Sequence, residues 1–215
     1  MNKSILKIHL DILDNKRRTL LKKLLPFTES FVLGGGTALS LQINHRISFD
    51  FDFFTFSPVS KQLLEKLSKK IDIENVIVDT SDELTFLTKD DIKVTFLYYP
   101  FRAGLEPVGG EDGLKLFSVV EIAIQKAYTI GRRGEYRDYF DLYTILKNNY
   151  IGFDTLISKT KKVFGSVFNE KIFLEQLVYF DDLRSFEIAS VSSKKASLEN
   201  EIKQFFKQLV SSYIK

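Results

Sequence analysis

Asp50 and Asp52 stand two apart in the segment Ser48-Phe49-Asp50-Phe51-Asp52-Phe53-Phe54. Strand side chains alternate between faces, so the two carboxylates share one face while Phe49, Phe51 and Phe53 point the other way into a core. Carboxylates roughly 6–7 Å apart on a rigid aromatic backing can hold hard cations such as Mg²⁺, which prefer oxygen ligands. Two such ions about 3.5–4 Å apart clamp an in-line displacement at phosphorus. Taken alone, the same spacing also describes an edge strand with a solvated acidic face.

A glycine turn upstream separates these readings. Phe31-Val32-Leu33 runs into Gly34-Gly35-Gly36-Thr37, and a helix-compatible stretch follows from Ala38 to Ile43. Glycine allows positive φ and close backbone approach to a ligand. The start of the following helix offers unpaired N–H groups and partial positive charge to a phosphate. Thr37 can cap that helix or bond a phosphate oxygen. A polar turn, Asn44-His45-Arg46, returns the chain to the acidic strand. Arg46 is placed to reach bound phosphates or to steady the acids, and Ser48 shares their parity.

The run Gly35-Gly36-Thr37-Ala38-Leu39, continued by His45-Arg46, Ser48, Asp50 and Asp52-Phe53-Phe54, closely resembles the signature of the AbiEii/AbiGii toxin family, within the polymerase beta-like nucleotidyltransferases. The resemblance is dense over some twenty residues and looser elsewhere. It implies Mg²⁺-dependent transfer of a nucleotide from an NTP, with Asp50 and Asp52 on the metals and Gly35, Gly36, Thr37, Arg46 and Ser48 around the nucleotide. It also implies the toxin of a toxin-antitoxin pair, with an antitoxin partner and an RNA acceptor such as a tRNA 3′ end. A protein or small-molecule acceptor stays open, as does a nucleotide-binding protein without turnover.

The chain departs from the superfamily pattern at its third carboxylate, which commonly sits on a strand beside the D-x-D strand. Here the strand Ile92 to Tyr99 offers Lys93 and Thr95 on one face, with Asp91 at its start. Relatives often carry a lysine at this point. Lys93 therefore reads either as a phosphate-binding catalytic group or as an exposed strand lysine. Farther on, Lys126, Arg133, Arg137-Asp138 and Asp141-Leu142 resemble the family's downstream motif, which makes Lys126 and Asp138 candidate catalytic residues. Asp138 and Asp141 lie three apart on one helical face, and their acids also suit a helix N-terminus.

The positioning elements follow from periodicity. Apolar residues from Ser4 to Leu25 recur at helical spacing, interrupted by the patch Asp14 to Arg18; they predict one or two helices, with His9 inside the apolar stripe. Lys16, Arg17, Arg18, Lys22 and Lys23 form either a solvated face or a contact for an acidic acceptor. A helix is expected from Val59 or Ser60 to Ile71, and strands at 76–78, 84–87 and 92–99. Residues 101–117, with Gly104, Gly109, Gly110 and Gly113, read as a long loop and domain boundary. Beyond it the pattern is helical: Ser118 to Ile130, a helix opened by Arg137 and Asp138, then Phe153 to Phe164, Glu170 to Phe180 and Ser197 to Ile214, with Ser190 to Lys195 as a linker. The expected fold class is α/β (α+β): a small mixed sheet in residues 1–105 carrying the site, then a helical region over 114–215.

Composition fits this reading. The 215 residues include 20 Phe, no Cys and a net charge of +3, and the pI is near 8.8. Without Cys there is no thiolate metal site, which fits a cytoplasmic protein. No apolar run reaches the roughly 18–20 residues of a membrane span, and nucleic-acid binding is allowed without being required.

Overall fold

The computed structural model describes residues 7–101, 107–110, 113–181, 183 and 195–215. Expectations for residues 4–6, Gly104 and residues 190–194 lie outside them. The chain divides into two compact units, Met1–Ser118 and Val119–Lys215. Residues 114–118, grouped above with the helical region, belong to the first.

The first unit is built on a seven-stranded mixed sheet. Its strands are β1 (Val32–Leu33), β2 (Phe51–Thr55), β3 (Ile73–Asp79), β4 (Glu83–Thr88), β5 (Lys93–Tyr98), β6 (Val108–Gly109) and β7 (Lys115–Leu116), in the order β3-β4-β5-β2-β1-β7-β6. β2 runs parallel to β5 and β1 parallel to β7, while the remaining neighbours are antiparallel. The stretch expected as a plain loop thus supplies two short strands.

Alternation along β2 decides which face is the core. Phe51 and Phe53 are buried; Asp52 and Phe54 are half-buried. Phe53 stacks on Phe96 with centroids 5.2 Å apart, and Phe31 meets Phe96 edge-on at 4.9 Å. Each fully buried Phe contributes about 1.5–3 kcal/mol, and each such ring pair adds about 0.5–1.5 kcal/mol. The aromatic backing behind the acids is therefore a rigid layer.

Helix α1 (Asn15–Leu24) begins where the sequence suggested a break. Asp14 is its N-cap and accepts a hydrogen bond from the Arg17 backbone N–H. That bond, with the Arg17 guanidinium, outweighs burial and holds the Asp14 carboxyl below the usual carboxylate range. Leu20, Leu21 and Leu24 form the buried face. His9 is exposed in a 3-10 turn before the helix rather than packed in a stripe. Helix α2 (Gly35–Ile43) follows β1, and the short helix α3 (Leu63–Ser68) buries Leu63 and Leu67.

The second unit is helical: α4 (Val119–Ile130), α5 (Tyr136–Lys147), α6 (Phe153–Phe164), α7 (Glu170–Val178) and α8 (Lys195–Ile214). α4 packs on α5, α6 and α7, and α8 packs on α5 and α7. Tyr139, Phe173 and Phe206 are fully buried, and Tyr128 stacks on Phe164 at 4.0 Å. No helix among the described residues is long and apolar enough to cross a membrane.

Candidate active site

The acids stand where three strands lie side by side. Asp52 is level with Thr95 of β5, which is level with Thr85 of β4. Asp50 falls one residue before β2, so the strand begins later than the alternating pattern suggested. Phe49 is a correction: it is 48% exposed rather than in the core. Its ring lies under the Arg17 guanidinium at 4.9 Å, and its carbonyl accepts from Arg17 Nε at 3.0 Å. Sequence spacing gave no hint of this contact, which joins residues 32 apart.

The glycine turn is bonded directly to the acidic segment. Gly34 N–H donates to the Asp52 carbonyl at 2.8 Å. The Thr37 hydroxyl donates to the Asp50 carbonyl. This corrects the expectation of Thr37 as helix cap: α2 starts at Gly35, Gly34 is its N-cap, and Thr37 is buried in the first turn. Gly35 has φ +63°, and a Cβ there would lie 2.6 Å from Asp52 Oδ2. Only glycine brings a positively polarised helix start this close to a carboxylate. Gly36 is the matching position for the turn after α2. A Cβ on it would run into Arg46 Nη2 and lie 3.0 Å from Ser48 Oγ. Arg46 is buried and donates to the Ile47 carbonyl at 3.1 Å, so it supports the turn from within.

Gly35→Ala is therefore expected to do two things. The left-handed backbone costs a residue with Cβ about 1–2 kcal/mol, and the methyl displaces the Asp52 carboxylate. Urea unfolding should show the stability loss, and calorimetric titration with Mg²⁺ and a non-hydrolysable NTP should show weakened binding. Unchanged binding would mean that Asp52 does not hold the ligand.

Lys93 faces the same side, with Nζ 3.6 Å from Asp50 Oδ2; the two side chains are 38% and 30% exposed. A partly solvated pair of this kind adds little stability and leaves both groups accessible to a ligand. Asp91 sits in the β4–β5 turn at φ +57°, exposed, with its N–H on the Thr88 carbonyl. No group of three or more His, Asp or Glu able to hold a metal occurs among the described residues. Two carboxylates suffice for Mg²⁺ when substrate phosphates supply further oxygens, and the oxygen-only donor set at Asp50 and Asp52 fits that ion.

Lys126 and Asp138 belong to the second unit. Lys126 Nζ lies 2.6 Å from Asp138 Oδ1 and 2.7 Å from Asp141 Oδ2, and Arg133 Nε lies 2.8 Å from Asp138 Oδ2. Both acids are fully buried and Lys126 is nearly so. Burial pushes the Asp138 carboxyl up, but Lys126 and Arg133 outweigh it and hold it below the usual range. The arrangement ties α4 to α5 by a charge-balanced buried cluster.

Sheet, glycine-started helix and paired acids supply the parts that nucleotidyl transfer needs. Residues 19–105 match the family described as nucleotidyl transferase AbiEii toxin, type IV toxin-antitoxin system. An uncharacterized protein of Aquifex aeolicus is 30% identical over 207 residues, covering 94% of this chain and 98% of that protein. The chain belongs to the AbiEii family of nucleotidyltransferase toxins. Solved structures share the fold. MenT4, a nucleotidyltransferase toxin of Mycobacterium tuberculosis, superimposes with a TM-score of 0.61 at 17% identity, over 90% of this chain and 82% of that one. A Helicobacter pylori protein gives 0.57 at 19% identity, over 93% of this chain and 97% of that one.

Proposed function

We propose that the chain moves a nucleotide from an NTP onto an RNA hydroxyl, that of a tRNA 3′ end, with Mg²⁺ on Asp50 and Asp52, and that an antitoxin partner opposes it. The observation that carries the reading is the approach of the glycine turn to Asp52, which no residue with a Cβ at position 35 would allow. Bound Mg²⁺ would neutralise phosphate charge and orient the substrate for in-line attack. The N-terminus of α2 receives phosphate oxygens on its free N–H groups. Lys93 stands beside Asp50 and offsets charge growing on the transferred phosphate. Arg46 and Ser48 brace Gly36 and so hold the turn in place. Lys126 and Asp138 act on the stability of the helical unit.

The test is incubation with each α-labelled NTP and Mg²⁺ in the presence of total RNA, total protein or a metabolite extract. Label in a tRNA band is the expected result. Label confined to protein or metabolites would move the acceptor elsewhere. A second reading, nucleotide binding without turnover, draws on Thr95 standing beside Asp52 where relatives of the superfamily carry an acid. Saturable NTP binding with no transfer to any acceptor would favour it.

A further inference from the structure

Asp52, Thr95 and Thr85 form a row across β2, β5 and β4, in direct register and on one face. Thr85 Oγ1 lies 2.6 Å from Glu83 Oε1 and 3.1 Å from Thr95 Oγ1. Glu83 is half-buried on the same face of β4, two residues from Thr85. Its backbone builds the Thr80–Glu83 turn, in which the carboxylate takes no part. Among the described residues no lysine or arginine forms an ion pair with it.

Hydrogen counting fixes the direction of this chain. An ionised carboxylate only accepts, and a hydroxyl has one hydrogen to give. Thr85 therefore donates to Glu83, and the Thr85–Thr95 bond is donated by Thr95. Thr95 Oγ1 has its hydrogen committed toward Thr85 and keeps lone pairs for another donor. Thr85 is 5% exposed, which shields the middle of the chain from water, while Thr95 is half-buried and can be reached from the face that carries Asp52.

We propose that Glu83, acting through Thr85 and Thr95, receives the proton released by the acceptor hydroxyl and so replaces the missing third carboxylate beside Asp52. The inference rests on the nucleotidyltransferase reading above. In the step, the acceptor O–H gives its proton to Thr95 Oγ1, Thr95 passes its own to Thr85, and Thr85 passes its own to the Glu83 carboxylate. The acceptor oxygen forms a bond to the α-phosphorus as the bond from phosphorus to the bridging oxygen breaks. Pyrophosphate leaves with that electron pair. Glu83 then returns the proton to water. Thr95 is the catalytic contact; Thr85 and Glu83 act through it.

The experiment compares wild type with Glu83→Gln, Thr85→Val, Thr95→Val and Thr95→Ser, using α-labelled NTPs, Mg²⁺ and total RNA. Glu83→Gln and both valine variants should lower kcat by about 10²-fold or more, the scale of general-base catalysis, with KM for the NTP within about twofold. Thr95→Ser should keep most of the rate, because it preserves the hydroxyl. Rates in H₂O–D₂O mixtures should bow downward for wild type, reporting several protons in flight, and become linear for Thr95→Val. A purely structural role for Thr95 would leave that curvature unchanged. If wild type transfers nucleotide and Glu83→Gln keeps kcat within about threefold, or alters only KM, the relay is wrong and the nucleotidyltransferase reading stands. Absence of transfer to RNA by wild type from all four NTPs overturns the RNA acceptor and, with it, the relay from an RNA hydroxyl.

Discussion

Replacing Asp50 and Asp52 together by Asn is expected to lower nucleotide transfer by at least about 10³-fold, or roughly 4 kcal/mol, with almost no change in melting temperature. The substitution keeps side-chain shape and removes the charges that, in the proposed function, would hold a hard cation. The bonds that join this segment to α2 use the carbonyls of Asp50 and Asp52, which Asn retains. The Asp50–Lys93 pair is partly exposed, so its loss costs little. Initial rates with labelled NTP and a melting curve on the same preparation check both halves. Full activity in the double variant would remove these acids from the site. A large fall in melting temperature would make them structural.

The largest expected stability effect lies in the helical unit. Lys126→Met removes the positive charge that meets both buried acids, leaving Arg133 on Asp138 and the cluster with an unbalanced negative charge. Removing one partner of a buried pair costs about 3–5 kcal/mol, which lowers the melting temperature of a unit this size by at least about 10 °C. The pH response supplies a sign. In wild type the Asp138 carboxyl is held below its ordinary 3.8. Its stabilising contribution is therefore complete above the unfolded value and is lost only as pH falls through the lower folded value. The variant should behave in the opposite way. With Lys126 gone, burial favours the protonated acid and raises a carboxyl pKa, so stability should rise as pH is lowered from 8 toward 5. Melting curves at pH 8, 6.5 and 5 decide this. A variant as stable as wild type, with the same flat profile, would show that the cluster does not hold α4 to α5.

Local chemistry made part of the site legible in the sequence. Gly35, Gly36, Asp50 and Asp52 are brought together by contacts within one short segment, and the alternation of Phe51 and Phe53 announced the buried face. What escaped was non-local. Phe49 has the parity of a core residue, yet Arg17 holds it at the surface through a contact made by a different helix. Thr37 looked like a cap because the sequence does not reveal that the Asp50 carbonyl stands opposite it. Glu83 drew no notice because its connection to Asp52 exists only once the β4–β5 and β2–β5 registers are set. Strands β6 and β7, two residues each, are too short to carry a period. The start of α1 was readable: Asp14 is a strong N-cap residue, but its charged neighbours resembled an interruption.

The two bonds from the start of α2, Gly34 N–H to the Asp52 carbonyl and Thr37 hydroxyl to the Asp50 carbonyl, have a thermodynamic consequence. Under the proposed function they make the seat for a triphosphate and the seat for a metal ion parts of one body, so neither could be reshaped without the other. Occupancy of the two seats is then linked, and linkage is reciprocal: whatever factor a bound triphosphate applies to the dissociation constant of the ion, the ion applies to that of the triphosphate. If the proposed function holds, the opposite charges of the two ligands make that coupling favourable, and the ligand such a body would favour is the neutralised pair of nucleotide and metal.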